Sequence, residues 1–400
     1  MTANVKSWIL TDTDKGIWRE KLDLRGSRLG VPGCARVRIR KTVLRGGLRD
    51  GVDLIEVDNG AFSFFVVPTR GMGLWRGRCG DVSLGWASPV RGPVHPAYVN
   101  LSERSGLGWL GGFDEWVVRC GLESNGAPGA DVLPSNTGAP TSVPLTLHGR
   151  IANRPAHEVE IRVLPGKPPV IEVLGAVDEA TMFGPQFRLR TRLSTAAGSK
   201  TLSLSDEVVN LGATAAEMEL LYHCNYGAPL LEGGGRFVAP LSATLPRDAR
   251  AAEDIETWAG YREPTTGYVE QCYWHVPLAD AKGNTLALLR NREGTRGTAV
   301  RYNVRQLPCL TQWKNTGALA DGYVTGIEPG VNFPNPRAFE RRRGRVIRLE
   351  AGASYRADLA FEVADSAVEV KALEKEIAAL QGGRPFTLHR KPDPTFSPID

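Results

Sequence analysis

One segment of the chain, Leu147-His148-Gly149-Arg150, places an imidazole and a guanidinium two residues apart. In an extended segment, alternate side chains project to the same side, so we predict that His148 and Arg150 face a common ligand. The glycine between them would allow a ligand to approach the backbone closely. The alternative is a surface turn, because most histidines are structural or exposed.

A second polar segment follows an apolar run, and it contains His223, Cys224 and Asn225. In a strand, His223 and Asn225 would share one face, and Cys224 would lie on the other. An imidazole titrates near neutral pH and can therefore act as a general acid. The alternative is a core histidine that is satisfied by a backbone carbonyl.

A third segment ends an apolar run with Glu328, directly before Pro329 and Gly330. Burial at the end of a strand would raise the pKa of this carboxyl toward that of a useful general base. The alternative is a glutamate at a strand end that forms a salt bridge with Arg337 or Arg341.

Strict alternation of apolar and polar residues indicates that β-strands position these groups. Residues 187–195 alternate Phe, Leu and Thr with Arg and Ser, and residues 158–163 and 355–363 repeat the pattern. Such alternation is typical of half-buried strands. The high content of glycine (45) and proline (27) also favours many short strands joined by turns.

A helix is predicted only near the end of the chain. Val370, Leu373, Ile377 and Leu380 recur at helical spacing, Ser366 with Glu369 resembles a capping box, and Gly382 follows as a stop signal. The tail after this helix is rich in proline, and we expect it to extend over the surface. Residues 126–144 are rich in glycine, proline and small polar residues and are predicted to form a long loop.

Composition and charge exclude several classes of protein. The net charge of +5 is scattered rather than clustered on a nucleic-acid-binding module, and no stretch reaches the roughly 18 apolar residues of a membrane span. The N-terminus lacks the apolar core of a signal peptide, and the six cysteines form no C-x-x-C pair. We therefore expect a cytoplasmic protein that binds neither nucleic acid nor membranes.

Eight segments, in order along the chain, resemble the aldose 1-epimerase (galactose mutarotase-like) superfamily. They are PTRGMG (68–73), GWASP (85–89), GFDE (112–115), HGR (148–150), VNLG (209–212), HCNYGAPLL (223–231), GIEPGVNFPN (326–335) and RLEAGASY (348–355). The first three resemble a divergent bacterial branch of unassigned function. The order and spread of these segments, rather than any single one, carry the resemblance, which extends over residues 52–363.

The resemblance implies an all-β fold, namely a β-supersandwich of antiparallel sheets with one C-terminal helix. A single domain would span residues 1–400, with residues 364–400 forming the helix and the tail. The implied function is anomer interconversion of an aldose or of a modified, anionic aldose. Glu328 would act as the base on the C1 hydroxyl and His223 as the acid on the ring oxygen, while His148 and Arg150 would hold sugar hydroxyls.

Further residues are candidates for contact with such a sugar. Asn225 shares the face of His223, and Gln312 and Lys314 share one face of residues 310–314, whereas Thr311 and Trp313 lie on the other. Lys314 and Arg70 would suit a carboxylate, sulfonate or phosphate group, although ordinary surface charge is the alternative. Three tryptophans could stack on a sugar ring, namely Trp86, Trp109 and Trp116. Burial in the core is the more usual role of tryptophan.

Two other functions remain open on the same scaffold. One is a lyase or hydrolase that acts on an oxidised (keto) glycoside, and the other is a carbohydrate-binding protein without turnover. No short metal-ligand spacing occurs, so neither a metal nor a cofactor is predicted. The expected partner is a small-molecule sugar, and a homodimer is left open.

Overall fold

Two large β-sheets dominate the computed structural model, which describes residues 4–398. Their pairings are antiparallel except for one short parallel pair between Leu241–Pro246 and Thr387–Leu388. The ten-stranded sheet contains, in spatial order, Arg236–Val238, Asn284–Arg290, Gly297–Asn303, Ser354–Ala364, Thr201–Asn210, Gln186–Ala196, Val170–Ala180, Glu158–Leu164, Lys6–Asp12 and Ile17–Trp18.

The second sheet, of fourteen strands, carries the polar segments around His223 and Glu328. Its main path contains, in spatial order, Thr387–Leu388, Leu241–Pro246, Gln271–Pro277, Cys309–Asn315, Val324–Gly330, Ala216–Gly227, Val117–Leu122, Gly73–Cys79, Phe62–Val67, Asp53–Asp58, Arg38–Val43 and Leu22–Arg25. Two short strands join its sides, Ile347–Leu349 beside Ala216–Gly227 and Val82–Leu84 beside Gly73–Cys79.

The main hydrophobic core is a single cluster that draws buried residues from both sheets. Phe187 and Leu189 of the ten-stranded sheet pack in the same cluster as Phe62 and Phe64 of the other. In the strand Gln186–Ala196 the apolar residues are buried while the arginines between them face outward, as the alternation predicts. The predicted all-β sandwich of antiparallel sheets is thereby confirmed.

The predicted C-terminal helix spans Ala367–Gln381 and buries Val370, Leu373 and Ile377. Its cap differs slightly from a simple capping box. The Ser366 side chain accepts a hydrogen bond from the backbone of Glu369, and the Glu369 carboxylate accepts from the backbone N–H of Asp365. None of the helices within residues 4–398 is long and apolar enough to span a membrane.

Two sequence predictions about the periphery need correction. Short helices also occur at Ala249–Glu253 and Arg337–Arg342, and Glu103–Gly106 forms a single turn in which Arg104 and Ser105 have left-handed backbone; all three are too short to show a helical period in the sequence. The predicted loop 126–144 contains a two-stranded hairpin, Gly129–Pro134 with Pro140–Leu145, and the proline at its ends concealed it.

The C-terminal tail runs over the surface, as predicted, and specific contacts hold it there. Besides the short strand Thr387–Leu388, the ring of Phe396 packs 5.6 Å from that of Phe333. Ser397 is buried, and its hydroxyl accepts a 2.7 Å hydrogen bond from the indole of Trp274. Buried aromatic contacts and a satisfied hydrogen bond therefore hold the tail.

Candidate active site

Three adjacent strands bring the predicted acid and base to one face of the fourteen-stranded sheet. The strand Val324–Gly330 lies between Ala216–Gly227 and Cys309–Asn315. Asn225 is directly opposite Gly326, and Thr311 is directly opposite Glu328. Because side chains alternate along a strand, His223, Asn225 and Glu328 all project from the same face.

His223 and Glu328 are in direct contact. The Nε2 atom of His223 lies 3.2 Å from Oε1 of Glu328, and the two side chains keep exposed fractions of only 5% and 2%. The contact lacks the geometry of a hydrogen bond, so within the described chain Glu328 Oε1 has no hydrogen-bond partner. The two groups therefore touch each other in the free protein and do not stand on opposite sides of a ring-sized gap.

Burial shifts the pKa values of the two groups in opposite directions. Loss of hydration lowers the pKa of His223 well below its usual value, and the neighbouring His148 adds to this effect. Loss of hydration raises the pKa of Glu328 well above its usual value, with a smaller contribution from Glu270. Between the lowered pKa of His223 and the raised pKa of Glu328 the pair consequently holds one proton in total.

Asn225 fixes the tautomer of the His223 ring. Its amide nitrogen donates to the backbone carbonyls of Glu115 (3.0 Å) and His223 (3.1 Å), which leaves its Oδ1 as an acceptor. Nδ1 of His223 lies 2.5 Å from that oxygen and must donate to it. In the neutral ring, Nε2 therefore presents a lone pair toward Glu328.

Gly326 provides the space in which this contact forms. A Cβ atom at this position would lie 2.4 Å from Oε1 of Glu328 and 2.9 Å from Cε1 of His223. Any other residue would push the two side chains apart. Glycine inside a strand often marks such a close approach.

His148 reaches the same site through a turn. Its backbone has a φ of 57° and Gly149 one of 68°, so the segment is not extended. Nδ1 of His148 donates to the carbonyl of Asn125 (2.8 Å), and the ring centroid lies 5.4 Å from that of His223. Burial lowers the pKa of His148 to about 4, so the ring is neutral at pH 7.

Aromatic side chains wall the site around the two histidines. The Trp109 ring lies 4.6 Å from His148, and the rings of Phe113 and Trp313 lie 5.1 Å and 5.5 Å from His223. Among the predicted tryptophans, Trp109 therefore belongs to the site.

Buried polar atoms with free hydrogen-bonding capacity cluster in the same region. Within residues 4–398, Trp109 Nε1 and Thr311 Oγ1 lack hydrogen-bond partners, as does Glu328 Oε1. Buried polar groups in proteins nearly always form hydrogen bonds. The indole N–H, the hydroxyl and the carboxyl oxygen that are left without partners beside His223 and Glu328 are therefore suited to bind a polar ligand.

The prediction that Arg150 points to the same side as His148 is wrong. The two left-handed residues reverse the chain, and the Arg150 guanidinium instead donates to Glu123 at 2.7 Å. A Cβ on Gly149 would lie 2.1 Å from the carbonyl oxygen of Ser124, so this glycine serves a close backbone contact.

Arg70 is placed away from the site as well. Its side chain is fully buried and donates to Glu115 (2.6 Å) and to the carbonyl of Gly112 (2.9 Å). These hydrogen bonds hold in place the segment that carries Trp109 and Phe113. Arg70 stabilises a wall of the site from behind and does not face a ligand.

Gln312 and Lys314 lie on the opposite face of the sheet from Glu328. Gln312 is paired with Ile327 and donates to the Tyr261 hydroxyl at 2.9 Å. Lys314 donates to the carbonyl of Gly260 at 2.6 Å. Alternation correctly grouped these two side chains, but Thr311 and Trp313 occupy the face toward the site.

Sequence reasoning missed four contributors: Gly326, Thr311, Phe113 and Trp313. Gly326 carried a usable signal, because it lies two residues before Glu328 within an apolar strand. In the part of the chain that the structure describes, no group of three or more His, Cys, Asp or Glu side chains is placed so that it could hold a metal ion.

Comparison with known proteins agrees with this architecture. Residues 49–363 match the family described as "Domain of unknown function (DUF4432)". A crystal structure from Klebsiella pneumoniae subsp. pneumoniae MGH 78578, described as a "putative aldose 1-epimerase", is 36% identical with a TM-score of 0.91, covering 97% of this chain and 99% of that chain. No curated protein matches the chain.

Two more distant structures share the fold. A galactose mutarotase-like protein from Clostridium acetobutylicum is 13% identical with a TM-score of 0.55, covering 82% of this chain and 98% of that one. A galactose 1-epimerase from Lactobacillus acidophilus NCFM is 12% identical with a TM-score of 0.51 and the same coverage. The chain thus belongs to the DUF4432 family, a divergent branch of the aldose 1-epimerase (galactose mutarotase-like) superfamily.

Proposed function

We propose that this protein is an isomerase that interconverts the anomers of an aldose, with Glu328 and His223 as its base and acid. The observation that carries the proposal is the 3.2 Å contact between His223 Nε2 and Glu328 Oε1. In a cyclic sugar the anomeric hydroxyl and the ring oxygen are bonded to the same carbon. An acid and a base that serve both oxygens must therefore converge on neighbouring atoms, as these two do.

The one proton held by His223 and Glu328 can serve both ring opening and ring closure. In the ionised form of the pair, the Glu328 carboxylate takes the proton of the C1 hydroxyl while the His223 imidazolium gives a proton to the ring oxygen. The C1–O5 bond breaks, C1 becomes an aldehyde, and the pair again holds one proton, now on Glu328. Rotation about C1–C2 and the reverse transfers close the ring as the other anomer.

The surroundings of the pair support recognition of a neutral sugar. Aromatic rings such as Trp109 and Trp313 can cover the apolar face of a pyranose, and Trp109 Nε1 and the Thr311 hydroxyl offer free polar groups. The cations that favoured an anionic sugar, Arg70 and Lys314, point elsewhere. We therefore propose a neutral aldose as the substrate.

Anomer exchange measured by NMR or polarimetry on a panel of aldoses tests the proposal. We expect accelerated exchange for at least one sugar, lost by about 10²–10⁴-fold in His223→Ala and in Glu328→Gln. Glu256→Gln, at an exposed position, and His389→Ala, at a half-buried position on the C-terminal tail, provide matched controls that should retain the rate. Release of an aglycone from a keto-glycoside without anomer exchange would favour the lyase or hydrolase, and binding alone would favour a non-catalytic protein.

A further inference from the structure

A cavity with both polar and apolar lining lies behind the turn that carries His148. It has a volume of about 270 Å³ and is lined by Ser102, Glu123, Ser124, Thr146, Arg150 and Glu179 among others. The hairpin of Gly129–Pro134 and Pro140–Leu145 forms one side of it. Leu101 lines this cavity and also packs against the aromatic cluster of Trp109, so a thin partition separates it from the candidate active site.

Glu179 is the feature of this cavity that points to a ligand. Its side chain is buried, and Oε1 accepts the backbone N–H groups of Leu122 (3.0 Å) and Glu123 (2.8 Å). Its other oxygen, Oε2, is buried and finds no hydrogen-bond partner in the described part of the chain. Glu179 lines the cavity, and a carboxyl group that keeps one buried oxygen without a partner can satisfy it by binding a polar group after a small movement of the side chain.

The charges around the cavity restrict what that group can be. Arg150 is neutralised by Glu123, which it contacts at 2.7 Å, so no net positive charge remains to attract an anion. A divalent cation would need six or more oxygen ligands, whereas one of the two carboxylates here is already bound to Arg150. A neutral ligand with several hydroxyls fits, because a hydroxyl can donate to a carboxylate or accept from a carboxylic acid.

We infer that this cavity is a second carbohydrate-binding site, which holds one polyhydroxylated ring against Glu179, Arg150 and the neighbouring hydroxyls. Its volume suits a single ring and lies near the lower end of small-molecule sites. The ring is either the distal unit of a longer substrate or a separate sugar molecule. The inference rests on hydroxyl recognition alone and does not require anomer exchange at His223 and Glu328.

The test uses D-glucose, maltose and methyl α-D-glucopyranoside, which has no free anomeric hydroxyl and cannot be turned over. Binding is measured by saturation-transfer NMR and titration calorimetry on the whole protein. Ser102→Trp places a bulky ring at the exposed mouth of the cavity, and Glu179→Gln changes its buried acceptor while keeping Oε1. Ser142→Trp, exposed on the same hairpin outside the cavity, is the matched control.

We expect Ser102→Trp to weaken binding of maltose or methyl glucoside by at least about tenfold, and Glu179→Gln to weaken it to a smaller degree. A rise in the KM of maltose alone identifies a distal subsite. Loss of methyl glucoside binding with unchanged turnover of both other sugars identifies a separate sugar site. If no probe binds more weakly to either cavity variant than to Ser142→Trp, including the case in which none binds at all, the inference is wrong.

The same experiment separates this site from the proposed function. Glu328→Gln should abolish anomer exchange and leave binding in the cavity intact. The wild type could show no anomer exchange while Ser102→Trp still loses binding of methyl glucoside. That combination would refute the proposed isomerase and uphold the second site.

Discussion

Asn225 accepts a hydrogen bond from Nδ1 of His223 at 2.5 Å, while its own amide hydrogens are held by two backbone carbonyls. This arrangement directs the other ring nitrogen toward Glu328 whatever the ionisation state of the pair. The chemistry of the site then depends on where one proton lies between an imidazole and a carboxylate, both of which are almost completely buried.

We expect kcat/KM for anomer exchange to be highest in the pH range in which the pair holds a single proton. A second proton binds only below the usual pKa of histidine, because burial lowers the pKa of His223. The single proton is lost only above the usual pKa of glutamate, because burial raises the pKa of Glu328. Activity therefore falls at both extremes, and a pH–rate profile with its acid limb at the ordinary histidine value would contradict this assignment.

Asn225→Asp should move the acid limb to higher pH. A carboxylate beside Nδ1 favours the imidazolium and therefore raises the pKa of His223 relative to the wild type. The active, singly protonated pair would then gain its inhibitory second proton at a higher pH. A pH–rate profile, together with NMR titration of the imidazole, measures the shift. An unmoved limb would show that Asn225 does not face the titrating ring.

Gly326→Ala should abolish activity with only modest loss of stability. The new methyl group would lie 2.4 Å from Oε1 of Glu328 and force the acid and base apart. We expect the rate to fall at least 10²-fold and the free energy of unfolding to fall by about 1–3 kcal/mol. Gly111→Ala is the control, because a Cβ there meets no atom within 4 Å. Equal losses in both variants would argue against a specific role for Gly326.

Arg70→Met should lower the free energy of unfolding by about 3–5 kcal/mol, because it leaves Glu115 buried without its ion pair. The double variant with Glu115→Gln should recover part of this loss, since the uncompensated charge is gone. Urea unfolding of the two single variants and the double variant measures the coupling between them. Additive losses would show that the buried pair does not act as a unit.

Lys314→Met tests the placement of this lysine on the far face of the sheet. Burial lowers its pKa to about 8 from 10.5, so between these pH values the unfolded chain binds a proton that the folded chain does not. The wild type should therefore gain up to about 3 kcal/mol relative to Lys314→Met as pH rises through this range. Chemical unfolding at several pH values measures this, with exposed Lys371→Met as the control. An increased KM with no pH-dependent difference would instead place Lys314 at the ligand.

Local sequence patterns already determined much of the architecture and the choice of His223 and Glu328 as the candidate acid and base. Alternation predicted the strands because the side chains of a half-buried strand must be apolar every second residue. The order of the family-like segments identified His148, His223 and Glu328, since such residues are retained in characteristic local contexts. Alternation also grouped Gln312 with Lys314 correctly.

Only the tertiary structure decided which side of each strand faces the site. A period of two assigns residues to two faces without saying which face meets a ligand. The sequence therefore favoured Gln312 and Lys314 as ligand contacts, whereas Thr311 and Trp313 lie on the face of Glu328. Left-handed backbone at His148 and Gly149 separated His148 from Arg150. The contact of His223 with Glu328, 105 positions apart in the chain, depends on the pairing of two strands and on the space left by Gly326, which are properties of long-range packing rather than of local sequence.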